Sequence, residues 1–104
     1  MQFIDIMVTC PNRDCALAIA RDLISERLAA CANIGGDITS VYRWQGAIEE
    51  ATEVTLLLKT RAGLFDQVAA RVRALHPYDT PCIIATEIVA IDPDYAAWLE
   101  AETG

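Results

Sequence analysis

Between Cys31 and Lys59 the chain reads as two extended runs joined by one tight turn, and this pairing limits the fold more than any other feature. The first run begins near Cys31, is interrupted by Gly35-Gly36, and resumes as Ile38-Thr39-Ser40-Val41-Tyr42-Arg43-Trp44. A glycine pair inside a strand marks a bulge or bend. Gln45-Gly46 reads as the hairpin turn. From Ile48 the second run leads into the apolar stretch Val54-Thr55-Leu56-Leu57-Leu58 and ends at Lys59. That stretch is expected at the centre of a sheet, while Glu49, Glu50 and Glu53 make the outer half too polar for a core. A chain of 104 residues cannot cover so long a hairpin, so its tip, carrying Trp44, is expected to project.

The flanking segments supply the rest of a small α+β domain. Ile4, Ile6 and Val8 alternate with Asp5, Met7 and Thr9, the period of a strand over Phe3 to Thr9. Pro11-Asn12 breaks it, Asn12 can cap the next helix, and Asp14 suits its first turn. Ala16, Ile19, Ala20, Leu23 and Ile24 recur at helical spacing, which predicts a helix to about Leu28. A second helix places Phe65, Val68, Ala69, Val72 and Leu75 on one face and ends at His76-Pro77, since proline disfavours helical geometry in the residue before it. The β-branched run from Cys82 to Ile91 predicts a fourth strand. Asp92-Pro93 then starts a short helix with Tyr95, Trp98 and Leu99 as its inward stripe. This order, one domain over 1–104, is the β-α-β-β-α-β arrangement of ferredoxin-like folds with a short C-terminal helix. Two helices cover one sheet face, and the other face calls for a second subunit as cover.

Charge and composition narrow the partners. Fifteen acidic residues against eight basic ones give a net charge of -7, which disfavours nucleic acid and anionic membrane surfaces and leaves cations open. No run reaches the ~18 apolar residues of a membrane span, and the start lacks a basic, apolar leader, so a cytoplasmic location is expected. In that reducing setting Cys10, Cys15, Cys31 and Cys82 are expected as thiols, and they contain no Cys-x-x-Cys.

Catalytic motifs are absent: there is no glycine-rich phosphate loop, no Gly-x-Ser-x-Gly and no His-Glu-x-x-His. The expectation is a protein that is not an enzyme and takes no organic cofactor. Cys10 and the single histidine, His76, both lie at element ends and offer thiolate and imidazole, ligands suited to copper and zinc, with Cys15 or Asp79 as added donors. A second cluster is polar and aromatic: Tyr42, Trp44, Glu49, Glu53, Lys59, Tyr78 and Trp98. An exposed tryptophan at a hairpin tip fits docking against a neighbour better than ligand stacking.

Taken together, Glu26-Arg27-Leu28-Ala29-Ala30-Cys31-Ala32-Asn33-Ile34, Ser40 through Glu49, Lys59-Thr60 and His76-Pro77-Tyr78-Asp79-Thr80-Pro81 resemble the CutA divalent-cation tolerance family, from Val8-Thr9-Cys10-Pro11 to Tyr95-Ala96-Ala97-Trp98-Leu99. The resemblance implies a ferredoxin-like subunit in a tight homotrimer, the hairpin wrapping a neighbour, and a cytoplasmic role in tolerance of copper and other divalent metal ions. It implies a copper site at Cys10 and His76. Leu75 stands where bacterial relatives carry a first histidine, and Cys82 where a glutamate is common, so one ligand is lost and a thiol is added. A shared architecture with PII signal proteins keeps open a signalling module that binds a small ligand or partner protein at inter-subunit clefts.

Overall fold

A computed structural model describes residues 1–104. In chain order it contains β1 (Phe3–Cys10), α1 (Arg13–Ser25), β2 (Cys31–Trp44), β3 (Ala47–Arg61), α2 (Phe65–Leu75), β4 (Ile83–Glu87) and α3 (Pro93–Ala101). The strands form one sheet in the order β2-β3-β1-β4, every neighbouring pair antiparallel. This is the expected β-α-β-β-α-β sheet. Ile6, Val8, Leu56 and Leu58 project to the helical side and close the core with Ile19 and Leu23 of α1 and Val68 and Val72 of α2. Each such side chain contributes roughly 1.5–3 kcal/mol on full burial. The opposite face stays open and mixed, with Met7, Leu57 and Ile84 beside Asp5 and Lys59. No helix is long and apolar enough to cross a membrane.

Local chemistry sets most element ends. The Asn12 side chain accepts a hydrogen bond from the Cys15 amide at 2.8 Å and starts α1. The helix ends at Ser25, three residues short of the expected Leu28, because Arg27 takes a left-handed φ of 60° and the Leu28 and Ala29 amides both return to the Leu23 carbonyl. Arg27 is held there by its guanidinium, which donates to the Ala101 and Gly104 carbonyls. In the hairpin turn Gln45 and Gly46 both have positive φ, 48° and 83°, the twist that suits a two-residue connection. Pairing jumps from Ile34–Leu56 to Asp37–Val54, so Gly35-Gly36 form the expected bulge. A Cβ on Gly35 would run into the Thr55 hydroxyl, which accounts for a glycine at that point.

Three expectations need correction. The fourth strand ends at Glu87 and does not reach Ile91, because after the Ile88 amide bonds the Phe3 carbonyl its partner β1 has run out. Val89 is left 92% exposed. In α3 only Leu99 is fully buried; Tyr95 and Trp98 stack on each other at 5.4 Å and stay partly in solvent. Leu75 is likewise exposed, since it ends α2 and it is His76, in extended conformation, that turns back into the protein.

Candidate functional site

The chemistry-bearing residues converge at the base of the hairpin, where β1 ends, β3 enters the core and the 76–81 loop crosses. Cys10 is fully buried and pairs with Val54, next to Glu53. Burial, then the adjacent Cys15 thiol and the Glu53 carboxylate, push the Cys10 thiol up to about 12. At neutral pH such a thiol keeps its proton and is a poor nucleophile.

Both ring nitrogens of His76 are engaged. Nε2 lies 2.8 Å from the Thr9 carbonyl, and Nδ1 accepts the Tyr78 amide at 3.1 Å. With Nδ1 an acceptor, Nε2 carries the hydrogen and donates to Thr9. The histidine thus ties the loop to the end of β1. Its ring packs against Tyr78 at 4.6 Å, and the Tyr78 hydroxyl donates to Glu53 Oε2 at 3.2 Å. Burial and then the Glu53 charge and hydrogen bond push the Tyr78 hydroxyl up to about 12. Tyr42 joins from β2; desolvation, then the Glu49 carboxylate opposite it and the more distant Glu53, raise its hydroxyl as well. Glu53, only 7% exposed, is the centre of this corner.

The aromatic and polar cluster expected from sequence therefore divides. Tyr42, Glu49, Glu53 and Tyr78 assemble at the hairpin base, Trp44 stands apart at the tip, Lys59 belongs to the open sheet face, and Trp98 lies on α3 against Tyr95. Lys59 lies six positions beyond Glu53 along β3, about 20 Å at ~3.3 Å per residue. Lys59 pairs with Asp5 Oδ1 at 3.7 Å and donates to Asn33 Oδ1 at 2.9 Å. The Cys31 thiol also donates to Asn33 Oδ1, and the Tyr95 hydroxyl, raised by burial and then by its hydrogen bond to Cys31, closes this group. Asp5, Asn33 and Tyr95 carry no motif in the sequence; only the period-two facing of β1 and β2 could have found the first two.

For copper at Cys10 and His76 the fold supplies the neighbourhood and withholds the donors. His76 has no free nitrogen, Cys10 is sealed and protonated, Asp79 faces solvent, and half-buried Cys82 lies in the loop just before β4. No three His, Cys, Asp or Glu side chains converge in the chain. The pair as folded does not fit a divalent copper ion.

An antiparallel sheet in the order β2-β3-β1-β4, two helices on one face, and a long hairpin joined at its base to a His-Pro-Tyr loop define a ferredoxin-like α+β protein of distinctive type. The chain belongs to the CutA1 divalent ion tolerance protein family, whose model matches residues 4–102. It is 44% identical over 99 residues to the divalent-cation tolerance protein CutA of Thermus thermophilus, covering 95% of this chain and 96% of that one. Protein CutA of Mus musculus is 42% identical over 96 residues, covering 92% of this chain, which spans 54% of the mouse protein. The solved Thermus thermophilus structure superposes with a TM-score of 0.95 at 43% identity, over 98% of this chain and 99% of that chain. For CutA1 of Oryza sativa the TM-score is 0.97 at 39% identity, over 100% and 95%.

Proposed function

We propose that this chain serves divalent-cation tolerance as a non-catalytic, cytoplasmic protein that self-associates into a homotrimer. The observation that carries the self-association is the hairpin arm: Val41, Tyr42, Trp44 and Ile48 all stand exposed on it, on a molecule 45 Å long and only 25 × 23 Å across. Apolar and aromatic side chains gathered on a projecting element mark a docking surface. The open sheet face, with Met7, Leu57 and Ile84, is the complementary surface a second copy would cover. The protonated state of Cys10 supports a role other than thiol catalysis. Copper and other divalent ions enter through the family's role, with no ligation assigned to His76. Light scattering on the purified chain, followed through serial dilution, is expected to give three times the mass of one chain. A stable monomer at micromolar concentration overturns the assembly.

A second reading, a PII-like module taking a small ligand or partner protein at a cleft between subunits, rests on the Glu53 corner. There a buried carboxylate with two tyrosines beside it sits where the arm leaves the domain. A ligand that co-purifies and is lost in Glu53→Gln favours this reading.

A further inference from the structure

Glu53 is a buried carboxylate to which the chain supplies no positive partner. No salt bridge reaches it, and its one donor is the Tyr78 hydroxyl, on Oε2 at 3.2 Å. Asp5 Oδ1 is the only side-chain oxygen both shut off from water and without a partner, so Oε1 of Glu53, which has no donor either, keeps an opening to solvent. The surroundings bring no cation. His76, against Tyr78, accepts at Nδ1 and donates at Nε2 and so is uncharged; Lys59 is engaged by Asp5 and Asn33. Arg43, the one basic residue of the outer arm, pairs with Ile48 and alternates to the face opposite Tyr42. Buried carboxylates are ordinarily paired, and this one waits for a cation. A second carboxylate lies in line with it: Glu49, exposed and paired with Tyr42, shares the face of Glu53 four residues away, about 13 Å at ~3.3 Å per residue.

We infer that this face of the arm binds a linear polyamine, with one ammonium group on Glu53 beside Tyr78 and another on Glu49 beside Tyr42. An ammonium donates to Oε1 in a charge-assisted hydrogen bond and leaves the Tyr78 bond to Oε2 in place. Tyrosine rings attract cations, and both of these are exposed at the edge of the corner. A metal ion asks for donors converging on one point, and no three do so here. A polyamine instead spreads its charge over separated nitrogens, as these two carboxylates are separated. The net charge of -7 draws polycations and turns anions away. The inference rests on the ligand-binding reading of the Glu53 corner and gives that reading a chemical class.

The test is calorimetric titration of the native protein with spermidine at physiological salt, and one spermidine per chain is expected. Glu53→Gln keeps an acceptor for Tyr78 and removes the charge; it should weaken binding about tenfold or more, the worth of a hydrogen bond to a charged group. Glu49→Gln, at an exposed position that tolerates the change, should cost about two- to fivefold, as an exposed ion pair does. Glu50→Gln alters the net charge equally on the opposite face and should bind as the native chain does. In the native protein, saturation of the tyrosine ring protons should transfer to the spermidine methylenes. Absence of binding overturns the site, including the case in which a basic side chain of a second copy already fills the corner. Equal losses in Glu49→Gln and Glu50→Gln overturn it too, since they reduce the effect to bulk charge. A molecule without a cationic group that co-purifies and is lost in Glu53→Gln removes the polyamine and leaves the ligand-binding reading standing.

Discussion

The two halves of the β2–β3 hairpin share a backbone ladder and differ in almost everything else. In the inner half Val54, Leu56 and Leu58 lie under α1 and α2, and every second side chain of β3 is sealed from water. In the outer half, from about Ser40 to Ala51, only its own turn and ladder hold the arm, and apolar residues alternate with charges on both faces. The difference teaches where each half finds its stability. The inner half has tertiary packing, and the outer half has only cross-strand pairs of roughly 0.2–1 kcal/mol each.

The largest expected break lies in the inner half. Leu56→Ala leaves a cavity in a fully buried position and should cost about 2–5 kcal/mol in urea unfolding, whatever the state of assembly. Trp44→Ala separates the halves most sharply. It should leave the far-ultraviolet spectrum of the subunit intact while weakening self-association by about 2 kcal/mol, near thirtyfold in dissociation constant, as a central aromatic anchor does; an unaltered assembly under dilution would reject the arm's docking role. The smallest effect belongs to the joint between the halves. The Tyr78 hydroxyl, about 12 when folded against 10.0 in an ordinary environment, is protonated in the native state where the unfolded chain has lost its proton. Its stabilisation is complete below pH 10 and is lost as pH rises through about 12. Denaturant midpoints should fall over that window, less steeply in Tyr78→Phe.

Most of the architecture is legible in local chemistry. The Asn12 cap, the Gln45-Gly46 turn, the bulge at Gly35-Gly36 and the Asp92-Pro93 helix start all depend on residues within a few positions of each other. What was not legible depends on distant partners. The apolar run to Ile91 cannot reveal that β1 ends first, nor can the spacing of Tyr95, Trp98 and Leu99 tell which side of α3 meets the sheet. The site shows the same limit. That Cys10 and His76 approach each other follows from the fold order, but the double hydrogen bonding of the imidazole needs the Thr9 carbonyl, a backbone atom without any signature in side-chain sequence.

The tight turn at Gln45-Gly46 also makes the longest ladder in the molecule the most local one. Trp44 pairs with Ala47, whereas Ile6 must find Leu58 far along the chain before the core can close. Hairpins of this kind form in about 1–10 μs, well before such non-local pairing. The arm is therefore zipped while Val41, Trp44 and Ile48 still have nothing to meet. During refolding the newborn chain offers its stickiest surface first, and crowding favours tangled encounters over ordered ones.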